Sequence, residues 1–434
     1  MSIDADIEIL PNVSTGALRP TRYRWVISAV LLITVAIAYM DRLNVAVLIA
    51  DPQFLAALHI NGDPVKMGML MSVFLVAYGF SSLVLSPLGD LFGPRVVMGT
   101  ALCICALSML VGGFTTAFLV LICARFALGM GEGLHWPMQS TFCRNWFPTK
   151  EQGRANSTWI VGAKIGPVAA VPLFSFIVGH YGWRMTFIFL AVCSVFALFL
   201  VLVFTRDYPE QSRWVNKAEV DFIREGRAAK EQTREEKREA FRAGFKQLVA
   251  NKDFWVLTVG YTCDCSIFWG MATWLPSYLK VARHFSWAVM GGYTALSWLL
   301  AAALIATSGV LSDKWGRGAF LLIIGFAGAA TGIFLSAQTP NNLLAAWAIT
   351  FGVALTGFCM GGHWALLPRI VSKDAMSSGS GIMNGVATVI AAFIPTIVGF
   401  FIRFTGSFNG GLMTLVGTAL LGLVCGVILM VRKF

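Results

Sequence analysis

Charge is what this sequence is short of. Asp, Glu, Lys and Arg make up 13 % of its 434 residues, about half the share in an average soluble domain. A chain so poor in ionic groups cannot coat a globular surface with them. With 57 % hydrophobic residues and a mean hydropathy of +0.72, its main solvent is lipid. The N-terminal MSIDADIEILPNVSTG lacks the basic stretch and apolar core of a cleavable signal, and reads as a short cytosolic tail. The nine cysteines (Cys103, Cys105, Cys123, Cys143, Cys193, Cys263, Cys265, Cys359 and Cys425) are scattered through apolar segments. The pair in TCDCS has a single residue between its members and no histidine close by, so no zinc or other metal site is expected. The cysteines read as small buried hydrophobes. HExxH, a serine elbow and a cysteine–histidine constellation are all missing, which argues against an enzyme. No filter-like repeat or continuous polar pore supports a channel.

What the sequence does have is long apolar runs. Twelve segments, each near the roughly 20 residues needed to cross the hydrocarbon layer, lie at about 25–50, 67–88, 95–114, 117–139, 155–178, 184–205, 254–279, 285–311, 318–337, 342–366, 378–402 and 410–431. They predict an all-α integral membrane protein of two six-helix bundles, 25–205 and 253–431. A tail (1–24), a central polar loop (206–252) and a short C-terminus (432–434) flank and join them. The loop's mixed charges fit surface helix or linker, and its basic character suits contact with anionic lipid.

An even number of spans puts both termini on one side. That side collects twenty-five lysines and arginines, twelve of them in the central loop, against five on the other. The bias predicts cytoplasmic termini in a multi-pass membrane protein. The formal charge of +11 is then a consequence of topology, and a nucleic-acid partner loses its support.

Three bases remain inside predicted spans: Arg42, Arg125 and Lys164. The acids at the same depth are Asp41, Glu132 and, in the seventh span, Asp264. A bare ion in a span is unfavourable by several kcal/mol, so such groups face a cavity or find partners. Arg125 and Glu132 are seven apart on one helix and share a face at levels about 10 Å apart. Asp41 and Arg42 are adjacent, diverge by about 100°, and cannot pair on one helical face. Their partners must come from other helices, with Asp41 toward Arg125 and Arg42 toward a bound anion as the natural reading. A static salt-bridge network is the alternative. Lys164 can also snorkel to an interface.

The two halves echo each other. SPLGDLFGPR follows the second span and SGVLSDKWGRG the eighth. Gly93 and Gly316 permit a tight turn, and Asp90 and Asp313 can cap or pair with a neighbouring helix end. The loops are either structural latches or latches that also hold a gate shut.

With these features the chain resembles the major facilitator superfamily of secondary transporters, from about residue 20 to the end. The loops look like that family's signature. The first copy carries Asp90, Gly93 and Arg95 but departs at Ser86, Leu91 and Pro94; the second, from Gly309 through Asp313, Lys314, Gly316 and Arg317, is closer. YMDRLNV, RFALGMGEG, NWFPTKEQGRA, GHWALLPRI and GSGIMNG are similar to the anion:cation symporter group, which includes bacterial sugar-acid carriers.

The resemblance implies proton sites at Asp41 and Glu132 and anion binding with charge coupling at Arg42 and Arg125. It also implies a cavity lined by Tyr39, Tyr78, Trp364 and Asn384. Where sugar-acid carriers tend to hold a glutamine, VGAKIGP has Lys164; His135 and Trp136 in GEGLHWP, with His363 beside Trp364, make the cavity more basic and aromatic. Asp264 is a further polar site in the second half.

The expected function is import of a small organic anion, a sugar acid or related carboxylate, by proton symport through alternating access. An aromatic or dicarboxylic acid, or exchange or export of an anion, are the alternatives; a receptor is disfavoured. Protons are the coupling ion, no cofactor is expected, and the working unit is a monomer. Protonating Asp41 would free an arginine for the anion, coupling the two ligands reciprocally. Two protons with a monoanion carry net charge inward, favoured by about 2.3 kcal/mol per charge per 100 mV; one proton would be electroneutral.

Overall fold

The computed structural model describes residues 20–225, 248–315, 318–372 and 376–433, apart from a few side chains that include those of Lys164, Asp313 and Lys314. Gly316 and Arg317 lie outside the described residues. Helices and no strand are present among the described residues. The first half holds α1 (Arg24–Leu48), α2 (Pro64–Val84), α3 (Pro94–Phe114), α4 (Phe118–Trp146), α5 (Gln152–Tyr181) and α6 (Trp183–Phe204). The second holds α7 (Lys252–Ser277), α8 (Trp287–Trp315), α9 (Gly318–Gln338), α10 (Asn342–Ile370), α11 (Met376–Ala391), α12 (Ile394–Thr405) and α13 (Phe408–Val431). Together α11 and α12 make one crossing, broken after Ala391.

Eleven candidate spans among the described residues are long and apolar enough to cross a membrane. The remaining long helix, α7, has 26 residues, about 39 Å of helix, but Thr258, Thr262, Asp264 and Ser266 dilute its hydropathy.

Helix starts are written locally. Asp63 accepts from the Lys66 amide at 3.3 Å with Pro64 at the first helical position. Asn251, Asn341 and Ser407 cap α7, α10 and α13 with side-chain oxygens. Gly93, at φ +83°, turns the chain from the short helix Leu88–Phe92 into α3.

The start of α1 has no local side-chain cap. Glu219, from the short central-loop helix Lys217–Glu225, takes that role. Its fully buried carboxylate accepts from the amides of Tyr23 (3.0 Å) and Arg24 (3.2 Å), from Arg24 Nη1 (2.9 Å) and from the Thr21 hydroxyl. Arg24 Nε reaches Glu151 at 2.8 Å. This part of the loop is therefore docked on the first bundle, a contact that its mixed charges alone did not announce.

The halves meet at the end remote from these basic residues. There α12 lies on α2, where a Cβ on Gly68 would sit 2.3 Å from the Pro395 carbonyl oxygen. Thr396 Oγ1 donates to Ser72 Oγ at 2.8 Å, and Arg403 approaches Asp63 at 3.7 Å. α8 seats Gly291 against Pro172 and Ser175 of α5. One apolar core runs through both halves here, from Phe54, Met71 and Phe174 to Met271, Trp274 and Val398. Toward the basic end the halves part. A Cβ on Gly79 would reach only the Thr388 methyl, at 4.0 Å, and the first half keeps a core of its own around Ile27, Met138, Trp146 and Val201. The halves are joined tightly at one end and more loosely at the basic one.

The close approach at Gly68 predicts that Gly68→Val wedges the closed end apart. A cysteine at Thr396 should then react several-fold faster with a bulky hydrophilic maleimide than the same cysteine beside Gly68. Equal rates would show that closure does not depend on this contact.

Candidate functional site

The charged residues of α1 and α4 converge in the middle of the first bundle. Asp41, Arg42, Arg125 and Glu132 are each 1–3 % exposed. The glycines of RFALGMGEG bring the walls in, because a Cβ on Gly133 would lie 2.4 Å from the Tyr78 carbonyl oxygen of α2. Arg42 Nε donates to Glu132 Oε2 at 2.5 Å. Its guanidinium carbon lies 4.4 Å from the Tyr39 ring centroid and 4.6 Å from that of Tyr78. These aromatic faces add cation–π attraction and shield the pair from water.

Arg125 is placed differently from its sequence expectation. It donates to the main-chain carbonyls of Asp41 (3.3 Å), Arg42 (3.5 Å) and Leu70 (3.2 Å), with Phe74 4.9 Å beneath it. It thus ties α4 to the backbones of α1 and α2, while the Asp41 carboxylate turns to Ser194 Oγ of α6 at 3.4 Å. Arg42, expected to await an anion, already has a carboxylate partner in Glu132. The geometric reason is reach: Arg42 and Glu132 point toward one another between two helices, whereas the Asp41 side chain rotates away toward α6.

Several buried polar atoms are left without a partner among the described residues. Among them are Asp41 Oδ1, Glu132 Oε1, Gln139 Oε1 and both amide atoms of Asn44. Such atoms carry a desolvation cost of about 1–3 kcal/mol each, and are natural places for water or a proton.

Along α4 the polar face continues. Gln139 Nε2 donates to Thr34 Oγ1 at 3.1 Å and lies 3.1 Å from His135 Nε2. His135 is thus held inside the bundle, 3 % exposed. Half-buried Trp136 has its ring centroid 6.3 Å from that of Tyr39 in a tilted contact and 4.8 Å from that of Trp159 edge to face.

The second half contributes a neutral wall. Tyr261 donates its hydroxyl to Asn384 Oδ1 at 3.3 Å, and its ring lies 5.9 Å from that of Trp364, which is 40 % exposed. Behind it, His363 Nδ1 is 2.7 Å from the Cys359 carbonyl and 3.9 Å from Asp264 Oδ2. Asp264, alone in sequence, therefore has a histidine beside it. Lys164 lies in α5, with its side chain outside the described residues.

The loop residues have partners inside the first half. Asp90 meets Arg144 at 3.3 Å in an exposed pair; the Arg95 amide donates to Asp207 at 2.8 Å and its guanidinium to the Leu202 carbonyl at 2.6 Å. Asp313 and Lys314 fall at the end of α8 with undescribed side chains, and Gly316 and Arg317 outside the description. Sequence reasoning missed Ser194, Gln139, Thr34 and Tyr261, and Asn44 was quoted only as part of a motif. Asn44 had a signal, three residues beyond Asp41, and Gln139 another, seven beyond Glu132. Ser194 is one hydroxyl in an apolar helix and had none.

The family model of the Major Facilitator Superfamily matches residues 31–399. The chain is 29 % identical over 413 residues to a probable sulfoacetate transporter, SauU, of Cupriavidus necator, covering 92 % of this chain and 91 % of that one. It is 24 % identical to a probable L-galactonate transporter of Escherichia coli (94 % and 90 % covered). A probable galactarate/D-glucarate transporter, GudP, of Bacillus subtilis is 26 % identical (92 % and 90 %). Among solved structures, a bacterial homolog of the human lysosomal transporter Spinster in an inward-facing, occupied conformation superposes with a TM-score of 0.76 at 17 % identity, over 95 % of this chain and 97 % of that one. A D-xylose–proton symporter gives 0.67 at 16 %, over 93 % and 97 %. At these identities the structures show the shared fold.

Breaking the central pair should be costly. Arg42→Ala strands Glu132 in the bundle, and loss of one partner of a buried pair typically costs about 3–5 kcal/mol. A clear fall in thermal unfolding temperature is expected. Arg42→Met with Glu132→Gln, which removes both charges, should recover more than half of it. A double variant no better than the single one would show that the pair does not set stability.

Proposed function

We infer that this chain, which belongs to the major facilitator superfamily, is a secondary transporter that imports a small organic anion with protons by alternating access. The observation that carries this reading is the buried Arg42–Glu132 pair at 2.5 Å, roofed by Tyr39 and Tyr78. With Asp41 and Arg125 beside it, the site holds two acids and two bases, formally neutral when all are ionised. An incoming carboxylate or sulfonate competes with Glu132 for Arg42. Once displaced, Glu132 is a buried carboxylate without its counter-ion, and taking a proton restores neutrality. Anion and proton then favour one another's binding through the same arginine.

Asp41 supplies the second proton site. One of its oxygens has no partner among the described residues and the other a single serine. Arg125, bound to main-chain carbonyls, holds the helices in register and supplies positive potential. Tyr261, Trp364 and Asn384 offer hydroxyl, indole and amide groups to the remainder of the anion from the opposite half. The basic end is taken as cytoplasmic, so the tightly joined end faces outward and the looser one releases cargo inward. Rocking of the halves about the central site exchanges the two states.

Sugar-acid names among the relatives support a hydroxylated monoanion or dianion as cargo. The name of the sulfoacetate relative supports a second reading, a compact acid with two anionic heads. Lys164, a third base in the spans, fits the second head.

Uptake into proteoliposomes under an imposed pH gradient tests the function, with hexonates, hexuronates, dicarboxylates, hydroxybenzoates and sulfoacetate as the panel. Proton-driven accumulation of at least one is expected; accumulation of none would sink the symport reading. Asp41→Asn and Glu132→Gln should each reduce proton-driven uptake more than substrate counterflow, whereas equal loss of both would indicate a structural network. Lys164→Gln should shift preference from two-headed acids toward monoanionic sugar acids by about tenfold or more, the scale of one lost charge-assisted contact. Unchanged preference would remove Lys164 from the site.

A further inference from the structure

The two halves place an equivalent contact at one level, yet only one of them makes it ionisable. α4 and α10 are both 29 residues long, and Gln139 and His363 each stand twenty-one residues past the first. Gln139 reaches across to Thr34 on α1, ten residues into that helix; His363 faces Asp264 on α7, twelve residues in. The first bundle joins its helices at this level with a neutral hydrogen bond. The fold therefore has no need of a charge here, and the acid and imidazole of the second bundle call for another explanation.

Their surroundings suit proton binding. His363 is fully buried and Asp264 is 5 % exposed. With Nδ1–H donated to the Cys359 carbonyl at 2.7 Å, Nε2 is the basic atom of the neutral ring, and it has no partner among the described residues. Gly260 of α7 keeps the space at Nε2 open, since a Cβ there would lie 3.0 Å from that nitrogen. Asp264 is the charged group facing the ring. The other titratable groups around the dyad are neutral phenol and thiols: Tyr261 on α7, 5.4 Å between ring centroids, Cys263 and Cys265 on either side of Asp264, Cys359 on α10 itself, and Cys425 of α13 beside Gly260. α9 contributes the apolar Phe326 ring at 6.0 Å. The pair adjoins the side chains assigned to the anion above: Tyr261 bonds Asn384, and Trp364 is the next residue after His363.

We propose that His363 and Asp264 form a second proton-binding dyad, in the C-terminal half, whose loading removes a negative charge from beside Tyr261, Trp364 and Asn384 and so strengthens anion binding. A proton from water adds to His363 Nε2, the dyad passes from net −1 to neutral, and release returns the proton to water. No other bond changes. The proposal rests on the transport reading for its effect on the anion, but proton binding by the dyad is independent of it.

Two measurements on the full-length protein test it. In purified protein without substrate, infrared difference spectra along a titration from about pH 8 down to about pH 4 should contain carboxylate and imidazole bands. Asp264→Asn and His363→Gln should each remove one component of these bands, and that component should remain in Asp41→Asn and Glu132→Gln. The glutamine at 363 recreates the neutral contact of the other half. In proteoliposomes, counterflow is then followed with sulfoacetate and D-galactonate as probes. Lowering the pH should reduce the wild-type half-saturating concentration more than that of His363→Gln, by up to tenfold per pH unit, the limit for one linked proton. Spectra that superimpose on wild type in both dyad variants, or a pH dependence of half-saturation kept in full by His363→Gln, would overturn the proposal. If neither probe is carried, the spectra still decide whether the dyad binds a proton, while the transport reading falls on its own account.

Discussion

The structure turns on a single constraint, the burial of a guanidinium and a carboxylate between two helices in a protein built for lipid. Arg42 and Glu132 meet at 2.5 Å with almost no exposure. Each would be strongly unfavourable there alone, so their pairing dictates how α1 and α4 face each other. Much of the first bundle follows from that demand. The glycines of α4 let α2 approach closely enough for Tyr78 to cover the arginine, and Arg125 binds the carbonyls of both neighbours. In the proposed mechanism the same pair is the point that an anion opens, because the arginine has one charge to offer and two claimants for it. Stability and the proposed transport chemistry then draw on one interaction.

In the proposed cycle the rest of the molecule makes that interaction reachable from one side at a time. Apolar packing of α12 on α2 and of α8 on α5 seals the end remote from the basic residues, while the basic end divides into separate surfaces. The contacts at the sealed end are mostly small residues against backbone, with the Ser72–Thr396 hydrogen bond and a partly exposed ion pair beside them. Exposed ion pairs contribute little, which suits a seal that has to break in every transport cycle. At the basic end, Asp90 pairs with Arg144 within the first half, Arg24 ties that half to Glu151 and to Glu219 of the central loop, and Arg432 pairs with Asp253 within the second. Among these pairs none joins one half directly to the other.

The helical architecture was legible in the sequence because lipid imposes a coarse rule: every span must satisfy its own backbone, so long apolar runs become helices whatever their neighbours do. The seventh helix was legible too, although its hydroxyls and Asp264 dilute its hydropathy. The break between Ala391 and Ile394 was not, since the pattern stays apolar across it and only Pro395 marks the spot. The docking of Glu219 on the start of α1, almost two hundred residues away, left no local trace. In the site, the intramembrane charges named themselves by their cost, and Asn44 lay inside a motif already marked. Ser194 and Thr34 are hydroxyls in apolar helices, indistinguishable in sequence from those that merely bond to a carbonyl one turn back.

The sequence by itself determined that this chain spans a membrane many times, that its halves echo one another, and that a handful of charges at mid-depth need partners. Those conclusions rest on costs belonging to single residues in lipid, and such costs can be summed along a chain. Which charge meets which was decided only by tertiary structure. Arg42 took Glu132 while Asp41 turned to Ser194, and Arg125 took backbone carbonyls in place of a carboxylate. Asp264, solitary in the sequence, found His363. Pairing depends on the rotation and depth of one helix against another, set by small residues on faces far from the charges themselves. No spacing within a single helix contains that information.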